Sequence, residues 1–370
     1  MAEDAGLLTD LLRRRIAVEG PMTVAAFMAE ALGHPRLGYY MTRDPFGTAG
    51  DFTTAPEISQ MFGELIGLWC AHVWSRMGAP RRVVLVELGP GRGTLMQDAL
   101  RAAALVPAFR EAIEPHLVET SPMLRQRQQA TLAALPFAGK GPTWHDHLAT
   151  VPEGPTLAIA NEFFDALPIR QFVRTPEGWA ERLVDANPDG AGLRFVLDRR
   201  SLGGAAEAML PESVRAAPEG SVAEICPAGE VIAAELADRL VRHDGAALLI
   251  DYGHARSAAG ETLQAVRRHT FAPVLEKPGE ADLTAHVDFE VLARAARQTG
   301  ARVHGPITQG AFLANLGIRE RAAILRRAAS VAQAADIDAA LRRLIEPEEM
   351  GTLFKVMALT DPRQEPPVGF

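Results

Sequence analysis

A chain of 370 residues, 48% hydrophobic and 23% charged with a formal net charge of −8, is long enough for one large or two moderate domains and has the balance of a soluble globular protein. The acidic excess, with no basic tract beyond Arg13-Arg14-Arg15, argues against a nucleic-acid partner, and no apolar run reaches the ~20 residues that span a bilayer. Two distant cysteines, Cys70 and Cys226, fit buried thiols in a reducing compartment and cannot build a zinc cluster.

The opening stretch, MAEDAGLLTDLLRRRIAVEGP, carries acids and a short amphipathic pattern without an apolar h-region. It reads as neither a secretory signal nor an Arg-rich transit peptide, so a cytoplasmic protein is expected. Residues 7 to 33 predict two helices separated by Gly20-Pro21, the second entered at Thr23. From Tyr39-Tyr40 to Glu64 the texture changes: Gly47, Gly50, Asp51, Thr53, Thr54 and Pro56 punctuate a long loop that ends at a helix cap near Thr54. A segment both glycine-rich and aromatic is expected to close over a ligand.

Arg82 to Thr94, RVVLVELGPGRGT, predicts a buried parallel strand, a tight turn with Gly89, Gly91 and Gly93 at alternate positions, and then a helix. A ligand can approach such a backbone closely at a helix N-terminus. The spacing is GxGxG rather than the GxGxxG of dinucleotide sites, and the acid Glu87 lies two residues before the first glycine. This suits S-adenosylmethionine, a cation without a pyrophosphate, although a purely structural turn gives the same pattern. His116-Leu-Val-Glu119 predicts a second strand whose terminal acid is placed to accept ribose hydroxyls. Trp144-His-Asp-His147 follows a weaker third strand. Its HxH lacks further ligands at metal spacing, so Asp146 is expected near the adenine and no metal is expected.

Thr156-Leu-Ala-Ile-Ala160 predicts another buried strand, running into Asn161-Glu-Phe-Phe-Asp-Ala-Leu-Pro168. Polar groups there leave a central strand where α/β ligands bind, and an Asn-Glu pair is costly to bury without a use. Residues 169 to 198 read as an antiparallel meander inserted in the core. A helix at about 228 to 242 precedes the strand Ala246 to Asp251, which ends in Tyr252-Gly253-His254. Asp288 opens a helix to residue 299, a strand follows at 301 to 308, an Arg- and Ala-rich helical stretch at about 310 to 345, and a last strand at 352 to 359. The expected organisation is an N-terminal helical segment and active-site loop over 1–80, then an α/β core over 81–360 with insertions at about 169–245 and 309–347.

Taken in order, GDFTTAPEISQMFGE (Gly50 to Glu64), VELGPGRGTLMQD (Val86 to Asp98), VETSPMLRQRQ (Val118 to Gln128), NEFFDALP (Asn161 to Pro168), IDYGH (Ile250 to His254) and QGAFLANLGI (Gln309 to Ile318) resemble the MidA-type methyltransferases. This is the family of the mitochondrial complex I assembly arginine methyltransferase and its bacterial relatives. The resemblance implies a seven-strand class I (Rossmann-like) fold dependent on S-adenosyl-L-methionine. It also implies symmetric dimethylation of arginine on a protein substrate such as a complex I subunit, in the mitochondrial matrix for eukaryotic relatives. Carried onto this sequence, the resemblance makes Gly89, Gly91, Gly93 and Glu119 cofactor residues, and Glu87, Asp146 and Asn161 join that set from their places at the loop and strand ends. For chemistry, Glu162 is expected to pair with the guanidinium beside Asn161, with Asp165, Asp251 and His254 as partners or proton acceptors. Two other readings of the same residues stay open: a non-catalytic assembly chaperone that binds the cofactor, and a methyltransferase acting on a small molecule.

Overall fold

The computed structural model describes residues 6–43, 54–137, 141–190, 192–198 and 207–370. Contacts divide the chain into two compact units. One holds Thr53–Phe164, Ile232–Ala255 and Leu292–Phe370; the other holds Met1–Phe52, Asp165–Val231 and Arg256–Val291.

The first unit is an α/β sheet. Seven strands of the eight-stranded sheet are β1 (Val83–Leu88), β2 (Ile113–Val118), β3 (Thr143–His145), β4 (Thr156–Asn161), β5 (Gly245–His254), β6 (Arg302–Thr308) and β7 (Phe354–Thr360), in the order β6-β7-β5-β4-β1-β2-β3. Strands β1 to β5 pair parallel, while β7 runs antiparallel to both β5 and β6. After β1 the chain fills one side of the sheet with β2 and β3, then returns to place β4 on the other side. This makes the β1/β4 boundary a topological switch point, where open α/β sheets bind ligands beyond the carboxyl ends of their strands.

Every residue of β1 and β4 is buried, as the continuous apolar pattern demands of a strand covered on both faces. One face packs on helix Gln60–Arg76, which Ser59 caps through Met61 N–H and which buries Phe62, Ile66, Trp69, Val73 and Trp74. Two glycines let this helix approach helix Thr94–Ala103: a Cβ on Gly63 would lie 2.6 Å from Asp98 Cβ, and one on Gly67 2.5 Å from Ala99 O. Between β6 and β7 come helices Gln309–Asn315, Ile318–Arg327 and Val331–Ile345; Arg321 clamps the buried Glu64 in a bidentate pair at 2.8 and 3.2 Å.

The second unit carries the predicted meander. Arg170–Thr175, Gly178–Ala186 and Leu193–Leu197 pair antiparallel in sequence. Val222–Ile225 joins the first of them, and Met22–Thr23 the second. Helices Leu7–Glu19 and Val24–Gly33 follow the predicted spacing, with Thr23 Oγ1 accepting from Ala26 N–H. A second sheet of Gln264–Arg267, Thr270–Ala272 and Asp282–Thr284 lies in a stretch for which the sequence predicts no element. Tyr39 is fully buried in the short helix Tyr39–Thr42, and the Tyr40 hydroxyl donates to Asp282 Oδ1 at 2.7 Å. Of the stretch expected to close over a ligand, residues 44–53, including Gly47, Gly50, Asp51 and Thr53, lie outside the described residues. Among the described residues no helix is long and apolar enough to cross a membrane.

Candidate cofactor and active site

The turn after β1 is built from backbone that only glycine adopts easily. Gly89, Gly91 and Gly93 take φ of 62°, 53° and 82°, and a Cβ on Gly89 would meet the Phe163 ring at 2.8 Å. Gly93 caps helix Thr94–Ala103, whose first-turn N–H groups face the loop. Glu87 is 3% exposed beneath that turn. It accepts from Met96 N–H, its Oε2 has no hydrogen bond among the described residues, and burial pushes its carboxyl up to about 8. Glu57, on the short helix Ala55–Ile58, holds the loop from above: it accepts from the Thr94 hydroxyl and lies 3.8 Å from Arg92 Nη1.

Glu119 directly follows β2 and is buried. Its Oε1 accepts from Ser121 N–H at 2.7 Å and its Oε2 from Gln128 Nε2 at 3.1 Å. Burial raises this carboxyl, and the hydrogen bonds oppose the rise. Asp146 is exposed and pairs with Arg125 at 2.7 Å, while the same guanidinium donates to the Glu119 carbonyl. The neighbouring histidines face each other, His116 Nδ1 to His145 Nε2 at 2.9 Å, and burial holds His116 down to about 4, so the pair is neutral near pH 7. Among the described residues no group of three or more His, Cys, Asp or Glu could hold a metal ion.

The turn after β4 has no glycine, yet Glu162 takes φ 50°. Several interactions hold it there. Glu162 N–H donates to Ile250 O at 2.9 Å, and its Oε1 accepts from Ala55 N–H at 2.9 Å and from Asn161 Nδ2 at 3.1 Å. Beneath it, Asp251 is 1% exposed and accepts from Phe163 N–H at 3.1 Å, Phe164 N–H at 2.9 Å and Tyr252 N–H at 2.9 Å. Asp251 therefore holds backbone. Asn161 Oδ1 is buried with no hydrogen bond among the described residues, an acceptor that a bound cation or N–H donor would satisfy.

Glu87, the three glycines, Glu119, Asn161, Glu162 and Asp251 thus gather at the carboxyl ends of β1, β2, β4 and β5 in one unit. His254, half-buried, closes β5. Asp165 is the first residue of the other unit. It is buried, its carbonyl accepts from Ala285 N–H at 2.9 Å, and its charge, with that of Asp282 and after burial itself, keeps the Tyr40 hydroxyl protonated. Sequence reasoning missed Gln128, Ala55 and Glu57; the last two sit in the quoted GDFTTAPE stretch, and Gln128 ends VETSPMLRQRQ. The donor set fits a nucleoside with a cationic amino-acid tail. Glycine backbone leaves room for the tail, an acid at a strand end suits ribose, and the orphaned Asn161 oxygen seeks a donor.

Residues 65–307 match the family model described as "Putative S-adenosyl-L-methionine-dependent methyltransferase". The zebrafish protein arginine methyltransferase NDUFAF7, mitochondrial, is 40% identical over 94% of this chain and 85% of its own length. The human protein of that name is 39% identical over 95% and 83%. A crystal structure from Burkholderia thailandensis bound to S-adenosyl-homocysteine superposes with a TM-score of 0.85 at 29% identity, covering 99% of this chain and 95% of that one. The chain belongs to this family of S-adenosyl-L-methionine-dependent methyltransferases, and S-adenosyl-L-methionine is its cofactor.

Proposed function

We propose that this protein methylates arginine on a protein substrate, with Glu162 holding the guanidinium. The observation that carries the reading is the conformation of Glu162. A non-glycine residue at φ 50° costs on the order of 1–3 kcal/mol, and such strain is retained where the surroundings over-determine it, commonly at working sites. Here it lies at the switch point, one residue past a central strand. The curated relatives supply the substrate class through their name, protein arginine methyltransferase. The order of strands β1 to β7 supports assignment to the seven-strand class I.

The cofactor brings a methyl group on a sulfonium. Gly89, Gly91 and Gly93 are assigned to its amino-acid end, Glu119 to the ribose and Asp146 to the adenine. Asn161, through its unsatisfied oxygen, serves the cofactor and the reacting centre alike. Glu87 supplies negative charge under the loop, and a cation placed there would pull its carboxyl back down from about 8. A guanidinium is a weak nucleophile because its lone pairs are delocalised and its pKa exceeds about 12. Glu162 would pair with two of its N–H groups, concentrate the positive charge there and turn the remaining nitrogen toward the methyl. Asp251 keeps that turn in place, and His254, at the end of β5, is assigned as a proton acceptor. Symmetric dimethylation, a respiratory complex I subunit as substrate and a bacterial cytoplasmic setting follow the family resemblance.

The test is incubation with isotopically labelled S-adenosyl-L-methionine and isolated complex I subunits, followed by intact-mass and methylarginine analysis. Label recovered as symmetric dimethylarginine is expected. Glu162→Gln should bind cofactor within about twofold of the parent while turnover falls about a hundredfold or more, as when a transition-state contact is lost. Parental turnover by that variant would return Glu162 to a backbone-anchoring role.

A further inference from the structure

We propose that Gln128 is a positioning residue of the cofactor site, acting through the Glu119 carboxylate and the Gly91 carbonyl. Gln128 lies on helix Pro122–Leu132, started by Pro122 and capped by Ser121 Oγ accepting from Leu124 N–H. Its side chain points inward and is fully buried. Nε2 donates to Gly91 O at 2.7 Å and to Glu119 Oε2 at 3.1 Å, while Oε1 accepts from the Trp144 indole N–H at 2.8 Å. The neighbours dictate the amide's orientation: a carbonyl and a carboxylate both require the NH2 end, and an indole N–H requires the oxygen.

This one amide joins three elements that meet only in the folded sheet: the loop after β1, the end of β2, and β3. Gln128 Cα also lies 3.4 Å from where a Cβ on Gly93 would stand, so helix and loop are in van der Waals contact. Ser121 N–H fixes the other oxygen of Glu119 at 2.7 Å. The carboxylate is thereby held at both oxygens in one orientation, with Thr120 N–H as a further backbone donor to it. Glutamine is the only unbranched side chain of this reach with two donors and an acceptor. Leucine would strand Gly91 O and Trp144 Nε1, and glutamate would set a second carboxylate against Glu119.

The inference rests on the reading of Glu119 as the ribose contact, so the test must separate the two. S-adenosyl-homocysteine is titrated calorimetrically into the parent, Gln128→Met, Glu119→Gln and the double variant. Both single variants should weaken binding by about tenfold or more, and the double variant should be no worse than about the weaker single, the non-additivity of residues acting as a unit. In turnover, Gln128→Met should raise KM for the methyl donor at least about fivefold with kcat within about twofold, a split that general loss of folded protein does not give. If Glu119→Gln weakens binding while Gln128→Met stays within twofold, or if the two effects simply multiply, the role of Gln128 is overturned and the ribose reading survives. If Glu119→Gln binds like the parent, the ribose reading fails and takes this inference with it. Should Gln128→Met fail to fold, Trp144→Phe frees the amide from its acceptor side; a loss of affinity of about threefold is expected, and parental affinity would overturn the proposal.

Discussion

Two turns flank the switch point, and they solve the same geometric problem by opposite means. After β1 the chain reverses through left-handed backbone at three glycines, where that conformation costs little. After β4 it enters the same region with a glutamate and is held there by a buried aspartate, an opposing carbonyl and a neighbouring helix start. A glycine turn clears space, so the cofactor can lie against backbone. The second turn puts a charged side chain where a glycine would have none, and the surrounding hydrogen bonds offset the strain.

The contrast can be broken most severely at Asp251. Asp251→Ala leaves the N–H groups of Phe163, Phe164 and Tyr252 without their acceptor, which should cost about 3 kcal/mol or more in denaturant unfolding, and Glu162 should relax from its strained φ. A loss below about 1 kcal/mol would mean the turn is held by the strand pairing alone. A smaller effect is expected on the glycine side. Gly89→Ala puts a methyl within 2.8 Å of the Phe163 ring at φ 62°, so the two turns are pushed apart where they touch. Stability should fall by about 1–2 kcal/mol, with cofactor affinity about tenfold weaker by calorimetry. Unchanged affinity would show that the loop tolerates displacement.

The smallest effect concerns pH. Glu87 has its folded pKa raised from 4.5 to about 8, so the native state holds a proton that the unfolded chain releases. Stability on this account is full below about 4.5 and declines as pH rises toward about 8. Glu87→Gln, which keeps an acceptor for Met96 N–H, should flatten that decline in thermal melts between pH 5 and 8. His116, lowered to about 4, works the other way: stability falls as pH drops from 6.5 toward 4, and His116→Gln isolates that limb. Parallel pH profiles for parent and Glu87→Gln would exclude Glu87 as the source.

The glycine turn was legible because its signal is local: an apolar strand, alternate glycines, a helix. Thr23 and Asp288 were legible as helix starts for the same reason, and each accepts the backbone N–H expected of a cap. The strained turn was visible only as an odd polar cluster at a strand end. What makes it a turn comes from Ala55 and Asp251, 107 residues before Glu162 and 88 after Phe163, and spacing does not encode such partners. Gln128 hid similarly, as one amide among the polar residues of RQRQQ. The three-stranded sheet escaped because its hairpin turns through Arg268 and His269 at φ 51° and 59°, without the glycine or asparagine that announces such a turn. The composition of the second unit escaped for a different reason: it is assembled from three separate stretches of chain.

The antiparallel β7 has a consequence for synthesis. Strand β5 acquires β4 as its neighbour as soon as it is made, but its other edge is covered by β7, about 100 residues further on. At about 5–20 residues per second, that edge waits on the order of 5–20 seconds on the ribosome. During the wait it presents unpaired N–H and C=O groups flanked by Ala247, Leu248, Leu249 and Ile250, a template for any other extended chain nearby. Nascent-chain aggregation and chaperone capture are therefore expected in the interval between His254 and Phe354, and slowing elongation there should prolong the exposure.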